Sequence, residues 1–265
     1  MKKATIIHHQ GFGDLFTSNA LCNHYSNNYE ELIIIAMDNN RKIIIDNMYK
    51  HIKNIKCVVP SFHNNYNGID SCLICMTPGN QNYCPRVGNR KCQYIDYSNY
   101  KEYDNIKIGC FSGDYQKWDN FIKSNYQKSI SFSHSFYLYH DIDLGFRINE
   151  FSINKENINK NIPIDEYIVI HDDSNRGLYI NKNKISGNIY QLNDSSIYMI
   201  DQISILENAK EIHFIDSSYS VMIYFLSFFS DKISNIPKYL HEYVTPNRDT
   251  LIYTNPVPPN WNIIK

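Results

Sequence analysis

Ala4-Thr5-Ile6-Ile7-His8-His9-Gln10-Gly11-Phe12-Gly13-Asp14 runs from a short apolar strand into a turn that carries two glycines and closes on an acid. A helix-like stretch follows from Leu15 to Tyr25. Strand, tight loop and helix N-terminus in that order mark the place where a doubly wound α/β domain presents backbone N–H groups, a positive helix dipole and a reactive side chain. Glycine at 11 and 13 admits positive φ and lets a ligand approach the backbone closely. Asp14 then stands at the mouth of the crevice. The third glycine of the dinucleotide fingerprint is missing, and so is the Gly-Lys-Ser/Thr of a P-loop, so a nicotinamide or flavin site matches poorly. The same residues also read as a plain strand-to-helix turn with Asp14 as the cap, and the segment alone leaves both readings open.

Outward from this turn the first half alternates strand and helix signals. Leu32-Ile33-Ile34-Ile35-Ala36 is a continuous apolar run, the pattern of a strand covered on both faces in a parallel sheet. Residues 39–49 read as a helix with Ile43, Ile44 and Met48 on one face, and 55–59 and 70–77 as further strands. Residues 78–99 read as a surface loop over the crevice, and 118–126 as a helix. The Asn/Lys-rich stretch 152–165 has no apolar periodicity and carries Pro163, which makes it the linker. Beyond it the pattern restarts, with strands over 167–171, 187–192, 211–215 and, as the last, 238–243. An amphipathic helix is expected over 199–209, and a second, capped by Asp216-Ser217-Ser218, through Phe229. The order predicts an α/β protein of two halves, at 1–151 and 166–265, that face each other across a cleft.

A length of 265 residues with 43% hydrophobic and 20% charged residues describes a chain that buries a substantial core. A net charge of −1 supplies no field to draw it to nucleic acid or anionic lipid. The basic start Met1-Lys2-Lys3 is followed by an apolar run that His8 and His9 cut off too soon for a signal peptide. The most apolar stretch, Val221 to Phe229, is far short of the ~20 residues that span a bilayer. A cytoplasmic location is therefore expected. The excess of Asn, Ile, Lys and Tyr follows AT-rich codons and points to a genome such as that of a parasite or a large DNA virus. Seven cysteines, an odd number without an export signal, are expected to stay reduced. Cys72 and Cys75, with Cys84 and Cys92 downstream, have zinc-like spacing. The first two sit in a strand-like run, however, where residues three apart face opposite sides, so buried thiols are expected and no metal.

Polar clusters end three of the strands, where open α/β sheets bind ligands. They are Gly11 to Asp14, then His171-Asp172-Asp173-Ser174-Asn175-Arg176-Gly177, then Asp216-Ser217-Ser218. The last offers hydroxyls and N–H groups at a helix start, an anion site suited to a diphosphate, and equally an ordinary helix cap. Arg176 can add bidentate charge to a phosphate. Asp141-Ile142-Asp143 has the spacing of a metal-binding acid pair but follows a run of aromatics and reads as a loop coincidence.

The order of these motifs resembles that of GT-B glycosyltransferases, in particular the heptosyltransferase-like group whose small members start with His-His-x-Gly-x-Gly-Asp. The residues that carry the resemblance are His8 to Asp14, Phe136-Tyr137 ahead of Arg147 and Phe151, Ile170 to Gly177, Glu207 to Ser218, and His241, Arg248 and Trp261. It implies two Rossmann-like domains, an acceptor side at 1–151 and a nucleotide-sugar side at 166–265, and a transfer of sugar from a nucleotide-sugar to a hydroxyl of a glycan or other acceptor, inverting, with no cofactor or metal. Asp14 would be the general base. Gly11, Gly13, His171, Asp172, Arg176, Gly177, Asp216, Ser217 and Ser218 would hold the donor, and His8, His9, His241 and Arg248 stand as further cleft candidates. The chain is short for this fold, and the long C-terminal crossing helix of larger members is not evident, which keeps two alternatives open. One is a non-catalytic GT-B-like protein that binds nucleotide or sugar; the other is a nucleotide-sugar epimerase, which explains Asp14 less well.

Overall fold

The opening apolar run forms β1 (Lys3–His8), followed by α1 (Phe12–Thr17), α2 (Asn19–Ser26), β2 (Glu31–Ile35), α3 (Asn39–Tyr49) and β3 (Ile55–Val58). Next come the short β4 (Phe62–His63) and β5 (Tyr94–Ile95), β6 (Asp104–Ile108), and the single turns α4 (Ser135–Leu138) and α5 (Phe146–Asn149). The rest is β7 (Ile168–His171), β8 (Ile189–Gln191), α6 (Ile203–Glu207), β9 (Glu211–Phe214), α7 (Ser218–Phe229), α8 (Asp231–Asn235), β10 (Lys238–His241) and β11 (Trp261–Ile264). This computed structural model describes residues 2–8, 11–63, 94–96, 98–108, 134–138, 140–154, 165–192, 199–244 and 256–265. The strand expected over 70–77, the helix over 118–126, the Cys72, Cys75, Cys84 and Cys92 set, and most of 78–99 and of 152–165 lie outside the described residues. The chain divides into two compact units, residues 1–10 with 21–144 and residues 11–20 with 145–265.

The first unit is built on a parallel sheet in the order β3-β2-β1-β6. Leu32 to Ala36 is buried throughout, as a strand covered on both faces requires. Ile33 and Ile35 pack with Ile7 and with the partly buried Met37, Val58, Tyr100 and Tyr103. Asp38 caps α3 by accepting the Arg41 N–H at 2.9 Å. The helix buries Ile44, Ile45, Met48 and Tyr49, while Ile43 is 44% exposed, a correction to the face expected from sequence. At 3.6 residues per turn the four buried positions centre on a direction nearly opposite to position 43. Glu31 ties three strands together. It accepts from Lys56, Lys3 and the Tyr103 hydroxyl, and these bonds pull its carboxyl down to about 2. Cys22 and Cys57 are buried thiols, pushed up to about 12 by desolvation.

The second unit carries a five-stranded parallel sheet, β11-β10-β9-β7-β8. Its centre is α7, apolar nearly all round and buried from Tyr219 to Ser227 save Val221. Phe225 stacks on Phe151 at 5.0 Å, and Tyr224 accepts from the buried Arg147 guanidinium at 2.8 Å. Residues 11–20 belong to this unit for visible reasons. Gly13 packs against Val221 of α7, and the Asn19 amide bonds both the Ser152 carbonyl (2.8 Å) and the Ser152 N–H (2.9 Å). Two expectations change. The helix over 199–209 is a 3₁₀ turn, Ile200–Gln202, followed by the short α6, and the strand after β9 is not the last. Trp261–Ile264 adds β11 beyond β10, a four-residue strand that follows a Pro-rich stretch and gives too short a pattern to be read alone. Among the described residues no helix is long and apolar enough to cross a membrane.

Candidate functional site

Three segments of the second unit converge on a pocket of about 440 Å³. Gly11 to Asp14 come from the start of α1, His171, Asp173, Asn175 and Arg176 from the end of β7 and the 3₁₀ turn after it, and Asp216 to Tyr219 with Val221 from the β9-to-α7 junction. The two glycines do not serve positive φ, as the sequence reading expects. Gly11 has φ −64° and ψ 141°, an ordinary extended conformation, and Gly13 is not among the positive-φ residues. What they provide is space. A Cβ on Gly11 would meet Asp14 Oδ2 at 2.5 Å, so the absent side chain is what lets this carboxylate fold back over the helix start. A Cβ on Gly13 would press Val221 Cγ2 at 3.1 Å, so this glycine sets how closely α1 approaches α7.

At α7, Ser217 is the N-cap of a capping box: its hydroxyl accepts from Tyr219 N–H (3.2 Å) and Ser217 N–H donates to Ser220 Oγ (3.0 Å). Ser217 Oγ also lies 3.3 Å from His171 Nδ1, and the buried His171 ring packs on Tyr219 with centroids 4.1 Å apart. The helix is 12 residues long and its first turn opens on the pocket, so its dipole adds positive potential there. Asp173 holds Arg176 in place. Its carboxylate accepts the Arg176 backbone N–H (3.1 Å) and Nε (2.6 Å), and Arg176 Nη2 reaches within 3.4 Å of the Asp216 carbonyl. Sequence reasoning placed Asp173 in this polar strand-end cluster but assigned it no role; an acid three residues before the arginine, at a turn N-cap, is the signal that marks it.

The structure brings together Gly11, Gly13, Asp14, His171, Arg176, Asp216, Ser217 and Ser218. Others among the expected donor residues and cleft candidates sit apart. Asp172 is turned into the fold, where it accepts from Ile180 N–H (2.8 Å) and pairs with Lys182 (2.8 Å). Gly177, at φ 68°, closes the turn after Arg176 in the left-handed region where glycine is strain-free. His241 pairs with His213 across the sheet at 2.9 Å and lines a different cavity. His9 and Arg248 lie outside the described residues, and His8 is placed only as the last residue of β1. Among the described residues no group of three or more His, Cys, Asp or Glu is placed to hold a metal.

Burial lowers both paired imidazoles, His213 below its ordinary value and His241 to about 4. The unfolded chain therefore takes up protons first. Stability contributed by neutral His241 is full above pH 6.5 and is lost as pH falls from there toward 4. At pH 4.5 the loss is expected to be about 2 to 3 kcal/mol. Urea unfolding at pH 7 and 4.5 measures it, and a His241→Phe variant should show a clearly smaller drop.

No family model matches the chain, and no curated protein does. Among solved structures it is similar to the bacterial iron-containing dodecameric glycosyltransferase TibC from enterotoxigenic E. coli, at 11% identity and a TM-score of 0.48. The match covers 90% of this chain and 57% of that one, so the chain spans a little over half the length of that protein.

Proposed function

We propose that the chain is a GT-B-like glycosyltransferase of the heptosyltransferase-like group that moves a sugar from a nucleotide-sugar to an acceptor hydroxyl with inversion. The observation that carries this reading is the shared pocket of the Asp14 carboxylate, the α7 N-terminus and Arg176. Asp14, Asp173 and Asp216 outnumber the single guanidinium in its lining, and Asp173 already engages that guanidinium. An anionic group is thus favoured only against α7 and Arg176, while the Asp14 side suits a neutral, hydroxyl-bearing part. A nucleotide-sugar has this polarity, with a diphosphate at one end and a sugar beside it. In the proposed step Asp14 accepts the acceptor proton as the acceptor oxygen bonds to the anomeric carbon. The bond from that carbon to the diphosphate oxygen breaks, and the diphosphate leaves with the electron pair, stabilised by the helix dipole and Arg176. These groups supply the positive charge, so the step calls on no resident metal.

Thermal shift against nucleoside diphosphates and nucleotide-sugars tests the reading. A ligand of the folded state at a hundredfold excess over Kd adds ~2.7 kcal/mol, which is easily read. A broad panel without any shift removes the proposal. Arg176→Ala is expected to weaken nucleotide binding about tenfold or more, since a charge-assisted bond is lost, and to leave apo stability nearly unchanged because the side chain is exposed. Unaltered affinity in that variant takes Arg176 out of the site.

A further inference from the structure

The loop after β7 closes on itself. Asp173 and Leu178 exchange backbone bonds, N–H to carbonyl in each direction at 2.9 Å, and Gly177 turns the chain between them. Inside that loop the Asp173 carboxylate divides its two oxygens. Oδ1 accepts the Arg176 backbone N–H at 3.1 Å, and Oδ2 accepts Nε at 2.6 Å. A guanidinium offers its five N–H donors to an anion along two edges, Nε with Nη2 and Nη1 with Nη2. The first edge of Arg176 is taken within its own unit, Nε by Asp173 and Nη2 by the Asp216 carbonyl at 3.4 Å. Nη1 has no partner among the described residues, and the side chain lines the α7 pocket. The edge left for a ligand is therefore the Nη1/Nη2 edge.

We propose that Asp173 is a positioning residue for the leaving group: it fixes the guanidinium so that the Nη1/Nη2 edge meets one phosphate group of the donor end-on. This rests on the glycosyltransferase reading. The carboxylate has two opposed consequences. Its charge offsets that of Arg176 in a pocket that has to admit a diphosphate, which costs donor affinity. Its bond to Nε holds the planar fork in one orientation before the bond from sugar to phosphate breaks, so the developing charge meets a donor pair that needs no rearrangement. Binding needs the charge of the arginine, and turnover needs its geometry.

Asp173→Asn separates the two. Asparagine has one accepting oxygen where aspartate has two, so it can keep the backbone bond that caps the turn while it loses the one to Nε. Donor affinity, titrated with nucleoside diphosphates and nucleotide-sugars, is expected to hold or tighten, while the single-turnover rate of transfer falls about tenfold or more. That loss should vanish in the Arg176→Ala protein, because a double-mutant cycle isolates what acts through the arginine. Asp173→Ser, which also caps such turns, repeats the cycle if the amide variant does not fold. A wild type that transfers sugar, with an unchanged rate in Asp173→Asn, overturns the proposal and leaves the glycosyltransferase reading standing. So does an equal loss of rate in the Arg176→Ala protein, which marks a structural role only. A wild type that neither binds nucleotide nor transfers sugar defeats the reading itself, and the proposal falls with it.

Discussion

Asp14→Asn is expected to lower sugar transfer by ~10²- to 10⁴-fold, the usual cost of removing a general base. The amide keeps the size and reach of the carboxylate but has no basic lone pair, so the loss falls on turnover. Donor affinity should hold or improve slightly, because the substitution removes one of three negative side chains from a pocket that has to accept a diphosphate. Single-turnover rates with titration of the donor separate the two effects. Gly11→Ala is a second route to the same result. Its Cβ would collide with Asp14 Oδ2, so it should displace the carboxylate and lower turnover while leaving an extended backbone position unstrained. Normal transfer by the Asn variant would reduce Asp14 to a residue of the helix start. Donor binding by the wild type with no transfer to any acceptor or to water would favour the non-catalytic reading instead.

Lys238→Met is expected to lower stability by about 3 kcal/mol, since several charge-assisted bonds to buried carbonyls are lost together. Lys238 is completely buried in β10, and its ammonium donates to the carbonyls of Ile233 and Ile236 (2.7 Å for the latter), with Ser234 at 3.4 Å. These oxygens sit at the C-terminal end of α8, where the helix leaves acceptors without intrahelical donors and the dipole favours a cation. Desolvation lowers the lysine to about 8, so it is still mainly protonated at pH 7 and acts as the cap for that end. The methionine fills the same volume, so a loss in urea unfolding reports the orphaned carbonyls more than a cavity. A change below about 0.5 kcal/mol, the range of ordinary surface substitutions, would show that the ammonium desolvation cost cancels its bonds.

The elements with strong periodicity were legible from sequence because their pattern is a local consequence of burial. Leu32 to Ala36 is apolar without a break, and only a strand covered on both sides uses such a run. The Ser217 cap was legible for a similar reason, since capping depends on residues a few positions apart. Several site residues could be picked as strand-end polar clusters, but the clusters carry no statement of direction. His171-Asp172-Asp173 shows this. Three consecutive polar residues turn three ways: toward Ser217, into the fold against Lys182, and onto Arg176. Alternation along the strand and the loop that folds back over it decide which is which, and both depend on residues far away in sequence. Of the two reasons the sequence offered for glycine at 11 and 13, the positive φ fails. Composition marks glycine as a place for unusual φ, whereas here the crowding comes from Asp14 and from Val221, and only tertiary packing puts Val221 there. The sequence by itself determined the strand-and-helix alternation and the chemistry available at its turns, because these follow from local burial and local hydrogen bonds. Tertiary structure alone decided that residues 11–20 join the second unit, that His213 meets His241, and that Lys238 caps a helix, because each depends on contacts the chain makes only once it is folded.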